Sequence, residues 1–197
     1  MPKLLSITFC DNDSYYLFGS DDSCDEIERI NVELNSVTTV CLRGISMKKI
    51  HQILMYSFPN LQYIILDRTE LPSKENELTS FLGQKIQRMI SYEYFSGKNI
   101  TQETDISYLC NLKHLKLSYY GKDNGEELNS RSRIISNLLT KLRKLETLSI
   151  YAISSSSANP KSIFDEIMNG LDEDEIKTEY EIKYSGNYMR FIRNSVS

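Results

Sequence analysis

Aliphatic residues recur along the middle of this chain in a fixed phrase: one, a second three positions on, and a third two positions after that. Leu61, Ile64 and Leu66 carry it, as do Leu112, Leu115 and Leu117, and Leu145, Leu148 and Ile150. Val37, Val40 and Leu42 repeat it with smaller side chains; Ile86, Met89 and Ser91 repeat it least well, because a serine takes the third place. Side chains alternate between the two faces of a strand, so the last two positions of the phrase share a face. Each copy therefore predicts a short strand with its aliphatic residues turned inward and the residues between them turned outward. Between copies the spacing becomes helical. Met47, Ile50, Ile53 and Leu54 fall at i, i+3, i+6 and i+7, and Ile134, Ile135, Leu138, Leu139 and Leu142 behave likewise. One strand and one helix per unit is the expectation.

The copies begin at positions 37, 61, 86, 112 and 145, giving spacings of 24, 25, 26 and 33 residues. Repeats of roughly 20 to 29 residues are typical of one strand-and-helix architecture. The longest spacing then needs an insertion, for which the turn-rich residues 121–127, with Gly121 and Gly125, are the candidate.

On these residues the chain resembles the leucine-rich-repeat superfamily, in particular its irregular, helix-containing ribonuclease-inhibitor-like and F-box-associated members. Phe58, Pro59, Asn60 and Leu61, and Cys110, Asn111 and Leu112, resemble the phrase that leads those repeats into the strand. The resemblance covers residues 37–155 and implies an α/β fold: a short solenoid of parallel strands and helices. It departs from the family at the Asn or Cys ladder position after the third leucine, held here by Ile45, Thr69, Tyr120 and Ile153. An ordinary parallel α/β layer gives similar spacing and stands as the alternative.

A solenoid needs terminal caps, and a single domain of three parts follows. Residues 1–36 form an N-terminal cap, in which 3–9 and 15–18 read as a hairpin across Asp11, Asn12 and Asp13. Residues 37–155 are the repeating units. Residues 156–197 form a C-terminal cap: a helix begun by Asn159 and Pro160 and ended by Gly170, then a hairpin of 180–184 and 188–192 about Gly186.

Composition agrees with a folded chain large enough to need no metal or disulfide: of 197 residues, 40% are hydrophobic and 25% charged. The net charge of −4 opposes a role in gripping phosphate backbones. Acid gathers near the C-terminus, at Asp165, Glu166, residues 172–175, Glu179 and Glu181, and predicts an acidic surface there. Arg131, Arg133, Lys141, Arg143 and Lys144 are a second charged group, read as a solvated helix exterior. Cys10, Cys24, Cys41 and Cys110 lack metal-ligand spacing and are expected to be buried or half-buried free thiols. No signal-peptide core or membrane span is legible, so the expectation is a cytoplasmic protein.

Catalytic motifs are missing from the sequence: no GxSxG, no phosphate-binding glycine loop, and His51 and His114 stand 63 residues apart. Asp11 and Asp13 open a calcium-loop pattern that fails at Tyr16 and Asp22. Ser154 to Ser157 read as a loop. What the repeats provide is an outward row on a concave strand face: Tyr63, Ile65 and Asp67; Arg88, Ile90 and Tyr92; His114, Lys116 and Ser118; Thr147, Ser149 and Tyr151. Aromatic residues and arginine are enriched at protein interfaces. The expected function is a protein–protein interaction module or adaptor without cofactor, metal, nucleic acid or membrane. The resemblance further implies a recognition subunit of a larger complex such as a ubiquitin ligase, although the N-terminal region lacks the helical bundle of an F-box. The alternatives are a small-molecule enzyme on a compact α/β domain, or a structural subunit whose sheet is completed within an assembly.

Overall fold

Alternation of small clusters of aliphatic residues with amphipathic stretches builds one sheet with helices packed on it. A computed structural model of the chain describes residues 6–10, 33–45, 47–69, 77–92, 106–120, 128–153 and 159–194. The elements run β1 (Ser6–Cys10), β2 (Thr39–Arg43), α1 (Met47–Ser57), β3 (Tyr63–Asp67), α2 (Glu77–Lys85), β4 (Arg88–Ser91), β5 (His114–Tyr120) and α3 (Leu128–Lys141). They continue as β6 (Thr147–Ile153), α4 (Pro160–Asn169), α5 (Glu173–Glu179), β7 (Tyr180–Ser185) and β8 (Tyr188–Arg193). The protein is α/β, with an eight-stranded sheet ordered β1-β2-β3-β4-β5-β6-β8-β7. β1 to β6 pair in parallel in chain order. The terminal hairpin closes the sheet antiparallel, β8 against β6 and β7 outermost.

Every copy of the phrase forms its strand, including the weak one: β4 lies between β3 and β5 with Met89 opposite both Ile64 and Leu115. Val40, Leu42, Ile64, Leu66, Met89, Leu115, Leu117, Leu148 and Ile150 are buried, and the helices meet them in one core cluster through Ile53, Leu54, Leu78, Leu82, Ile135, Leu138, Ile163 and Ile176. Burying each such side chain is worth about 1.5–3 kcal/mol. Among the described residues the helices thus cover one face of the sheet and leave the other open.

A second repeat lies in the turns. The N–H of the first aliphatic residue closes a tight turn: Val37 to the Leu34 carbonyl, Leu61 to Phe58, Leu112 to Leu109, Leu145 to Leu142. The carbonyl of Thr38 then accepts from both Gln62 and Tyr63, and Gln62, Gln87 and Lys113 each do the same for the next unit. Side chains just before the first aliphatic residue reach back one unit: Asn60 donates to the Asn35 carbonyl at 2.9 Å, Lys85 to Pro59 at 3.0 Å, and Asn111 to Gln84 at 3.0 Å. Lys144 donates to Asn111 Oδ1 at 2.6 Å. The cross-unit ladder therefore runs mainly through the turn before the strand. Thr69, two residues after β3, also bonds the preceding unit: its buried hydroxyl donates to the Leu42 carbonyl at 3.2 Å.

The C-terminal cap follows its sequence. Asn159 Oδ1 accepts from the Lys161 N–H at 3.0 Å, Pro160 fills the first helical position, and Gly170 ends α4. Met189 and Phe191 of β8 enter the core opposite Ile150 and Leu148.

Ser6–Cys10 extends the sheet in parallel with β2, packing Phe9 edge-on against Phe58 at 6.1 Å; residues 15–18, its expected hairpin partner, lie outside the described residues. One expectation needs correction: among the described cysteines Cys10 and Cys110 are exposed and only Cys41 is half-buried, because Cys10 points outward from β1 and Cys110 sits in a turn. Helix α2 stands where a unit's helix was expected, although no spacing located it, and helix α5 was not expected. The insertion at 121–127, Cys24 and the serines at 154–157 lie outside the described residues.

Candidate open-face site

Strand register turns the outward residues into rows that cross the sheet. One row runs Thr39, Tyr63, Arg88, His114, Thr147, Ile192; the next runs Cys41, Ile65, Ile90, Lys116, Ser149, Arg190; a third joins Ser118, Tyr151 and Tyr188. The predicted residues Tyr63, Ile65, Arg88, Ile90, His114, Lys116, Thr147, Ser149 and Tyr151 are brought together on one surface. Asp67 ends the face at β3, where Arg43 of β2 holds it at 2.8 Å. Tyr92 follows β4, tied through its N–H to the Leu66 carbonyl, and is 41% exposed. Ser118 belongs to the face by register but is buried, with no hydrogen-bond partner for its hydroxyl, so it is corrected from a contact residue to a floor residue.

The centre of the face is organised around Lys116. Its ammonium lies 5.1 Å from the ring centroid of Tyr188 and 5.7 Å from that of Tyr151, and donates to the Tyr188 hydroxyl at 3.3 Å. The two rings pack against each other, centroids 4.6 Å apart. Aromatic faces attract cations through their quadrupole, so this pair restrains Lys116 without neutralising it. Across Ser149, Arg190 donates from Nε to the serine Oγ at 3.1 Å. Tyr188 and Arg190 were missed by sequence reasoning. Their alternation with buried Met189 and Phe191 was legible; that β8 would lie beside β6 was not.

Beside this centre, His114 Nδ1 is 2.9 Å from Thr147 Oγ1, and Nε2 is 3.8 Å from Glu146. Burial, and after it the Arg88 guanidinium, hold the imidazole below its ordinary value, while Glu146 pulls the other way and Lys113 adds to the lowering. Burial likewise raises the Tyr63 hydroxyl, with Tyr92 adding to it, and raises the Cys41 thiol against the opposing effect of Arg43. Beside His114 lies a hollow of about 180 Å³ lined by Tyr63, Arg88, His114, Lys116, Thr147 and Ser149. A second hollow, about 630 Å³, lies on the other side of the hairpin among α4, α5 and β7, with Asp165, Lys177, Tyr180 and Glu181 at its wall.

Of the second charged group, Arg133, Lys141, Arg143 and Lys144 are exposed, as a solvated exterior requires, and the side chain of Arg131 lies outside those described. Among the described residues no cluster of His, Cys, Asp and Glu suits a metal ion, and no helix is long and apolar enough to cross a membrane.

No protein-family model matches the chain, and no curated protein matches it.

Proposed function

We propose that the chain is a short leucine-rich-repeat-like module that binds a partner protein through the open face of its sheet, as an adaptor or recognition subunit. The repeat reading is supported by parallel strands in unbroken chain order and by the turn ladder linking one unit to the next. Parallel sheets usually have both faces covered. Here the apolar faces of the helices join the core on one side, while the other side presents Tyr63, Arg88, Lys116, Tyr151, Tyr188 and Arg190 to solvent. That face, uncovered among the described residues, is the observation carrying the reading. Tyrosine and arginine provide much of the binding energy at interfaces.

Affinity capture by the full chain, compared with a Tyr63→Ala, Tyr151→Ala variant of unchanged circular dichroism, tests it. A partner held by the wild type and lost by the variant is expected. Partners recovered equally by both would overturn the site assignment.

A second reading rests on Thr147, His114 and Glu146, which place a hydroxyl, an imidazole and a carboxylate in the order used by acyl-transfer enzymes. It is the weaker reading. Backbone N–H groups of β5 and β6 serve the parallel ladder and supply no oxyanion hole. Glu146 is half exposed and shared with Lys113 at 3.3 Å. Hydrolysis of p-nitrophenyl acetate, present in wild type and abolished by Thr147→Ala, would favour it.

A further inference from the structure

Charges on the open face are not distributed evenly. On its β2–β3 side Arg43 is neutralised by Asp67 at 2.8 Å, and at the hairpin edge Lys183 pairs with Glu181 at 3.0 Å. Between them Arg88, Lys116 and Arg190 stand on β4, β5 and β8 with no carboxylate in ion-pair range among the described residues. The chain carries 27 acidic against 23 basic residues, so three unpaired cations gathered on one surface run against its overall charge. Lys116 is also held in place by two tyrosine rings and Arg190 by a serine hydroxyl, and both keep hydrogen-bonding capacity for a ligand.

We infer that this positive island on β4, β5, β6 and β8 is the docking site for an acidic segment of a partner protein, its carboxylates meeting Arg88, Lys116 and Arg190 and its apolar side chains meeting Tyr151 and Tyr188. The inference rests on the protein-binding reading and adds the partner's chemistry to it. Lys116 and Arg190 lie two strands apart, about 10 Å, which an extended peptide spans in about three residues. A nucleic acid is the less suitable occupant. It carries a charge at every nucleotide and needs a continuous basic track, whereas this island is bounded by Asp67, Glu146 and Glu181. Complementary charge also steers association and makes it sensitive to salt.

The test is selection of random twelve-residue peptides displayed on phage against the full chain. It is run in parallel with a Lys116→Glu, Arg190→Glu variant, a Lys116→Gln, Arg190→Gln variant of unchanged thermal midpoint, and a labelled twenty-nucleotide poly-uridine probe. Wild type is expected to enrich Asp- and Glu-rich peptides that bind the neutral variant at least about tenfold more weakly, and the charge-reversed variant to enrich Lys- and Arg-rich ones. Peptides without acidic enrichment that bind the neutral variant as tightly as the wild type would overturn the acidic partner and leave the protein-binding reading standing. Poly-uridine binding lost in the neutral variant, without any peptide selected, would overturn both readings. So would the absence of selection by any form of the chain.

Discussion

Gly44 and Arg68 occupy the same place in successive units, seven residues after Val37 and Leu61, and both adopt the left-handed backbone conformation, φ 65° and 56°. Each follows directly on its strand, where the chain turns toward the next helix. Glycine adopts this conformation freely, but a residue with a Cβ does so at a cost of about 1–2 kcal/mol. The exposed contact of Arg68 with Asp67, at 3.7 Å, returns little of that. Arg68→Gly is therefore expected to raise stability by about 1 kcal/mol in urea unfolding. Arg68→Ala keeps the Cβ and should give no such gain. A fall of more than about 1 kcal/mol for the glycine variant would mean that the left-handed turn is not what limits this position.

Gly83 makes the opposite case. It lies within α2, where alanine normally stabilises a helix by about 1 kcal/mol. A Cβ there would sit 2.1 Å from the carbonyl oxygen of Tyr108, in the turn leading to β5. That neighbour is backbone and cannot swing aside, so Gly83→Ala must push α2 away from the turn. The expected loss is about 1–3 kcal/mol. Equal or higher stability would show that helix and turn are not packed this closely in solution.

Gly83 also explains one limit of the sequence. Helix α2 has the apolar residues Leu78, Phe81 and Leu82, followed by a glycine that interrupts a helical reading; the glycine is explained by a close backbone approach, which is a tertiary cause. Helix α5 has a single buried aliphatic residue, Ile176, in an acidic stretch, so periodicity had nothing to detect. The strands were legible because alternate burial leaves a period of two in each copy. Ser91 shows how far that holds: even a serine at the third position is buried when β3 and β5 flank it. At the site, β3 to β6 were readable from the same alternation. Tyr188 and Arg190 were not, because a hairpin returning to pair with β6 is a long-range event that no local pattern records.

Thr69 ties its unit to the preceding one through its side chain. Its hydroxyl is buried and donates to the Leu42 carbonyl at 3.2 Å, with a longer approach to the Asp67 carbonyl at 3.4 Å. Thr69→Val preserves shape while removing the donor; the parallel β2–β3 register leaves the Leu42 carbonyl the ladder N–H of Asp67, so the loss is that of one hydrogen bond, about 0.5–1.5 kcal/mol. Thr69→Ser keeps the donor and should cost less than the valine change. Urea unfolding of both variants decides the matter; a valine variant as stable as wild type would show that the Thr69 hydroxyl adds nothing to the ladder bond.

His114 predicts the sign of a pH dependence. In the folded chain burial and Arg88 hold its imidazole below the ordinary value of 6.5, to which it returns on unfolding. Between the two values the unfolded chain binds a proton that the folded chain refuses, so protons favour unfolding there. Above 6.5 both forms are neutral and His114 contributes no pH dependence. As the pH falls through 6.5 stability declines, and the decline from this group levels off once the pH is below the folded value. His114→Asn should flatten the difference in stability measured between about pH 7.5 and pH 5.5, leaving only the contribution of other groups. The imidazole resonances of the folded protein should titrate below those of the urea-unfolded chain. A midpoint above that of the unfolded chain would mean that Glu146, rather than burial and Arg88, sets the charge of His114, and the slope would then reverse: stability would be gained, not lost, as the histidine becomes protonated.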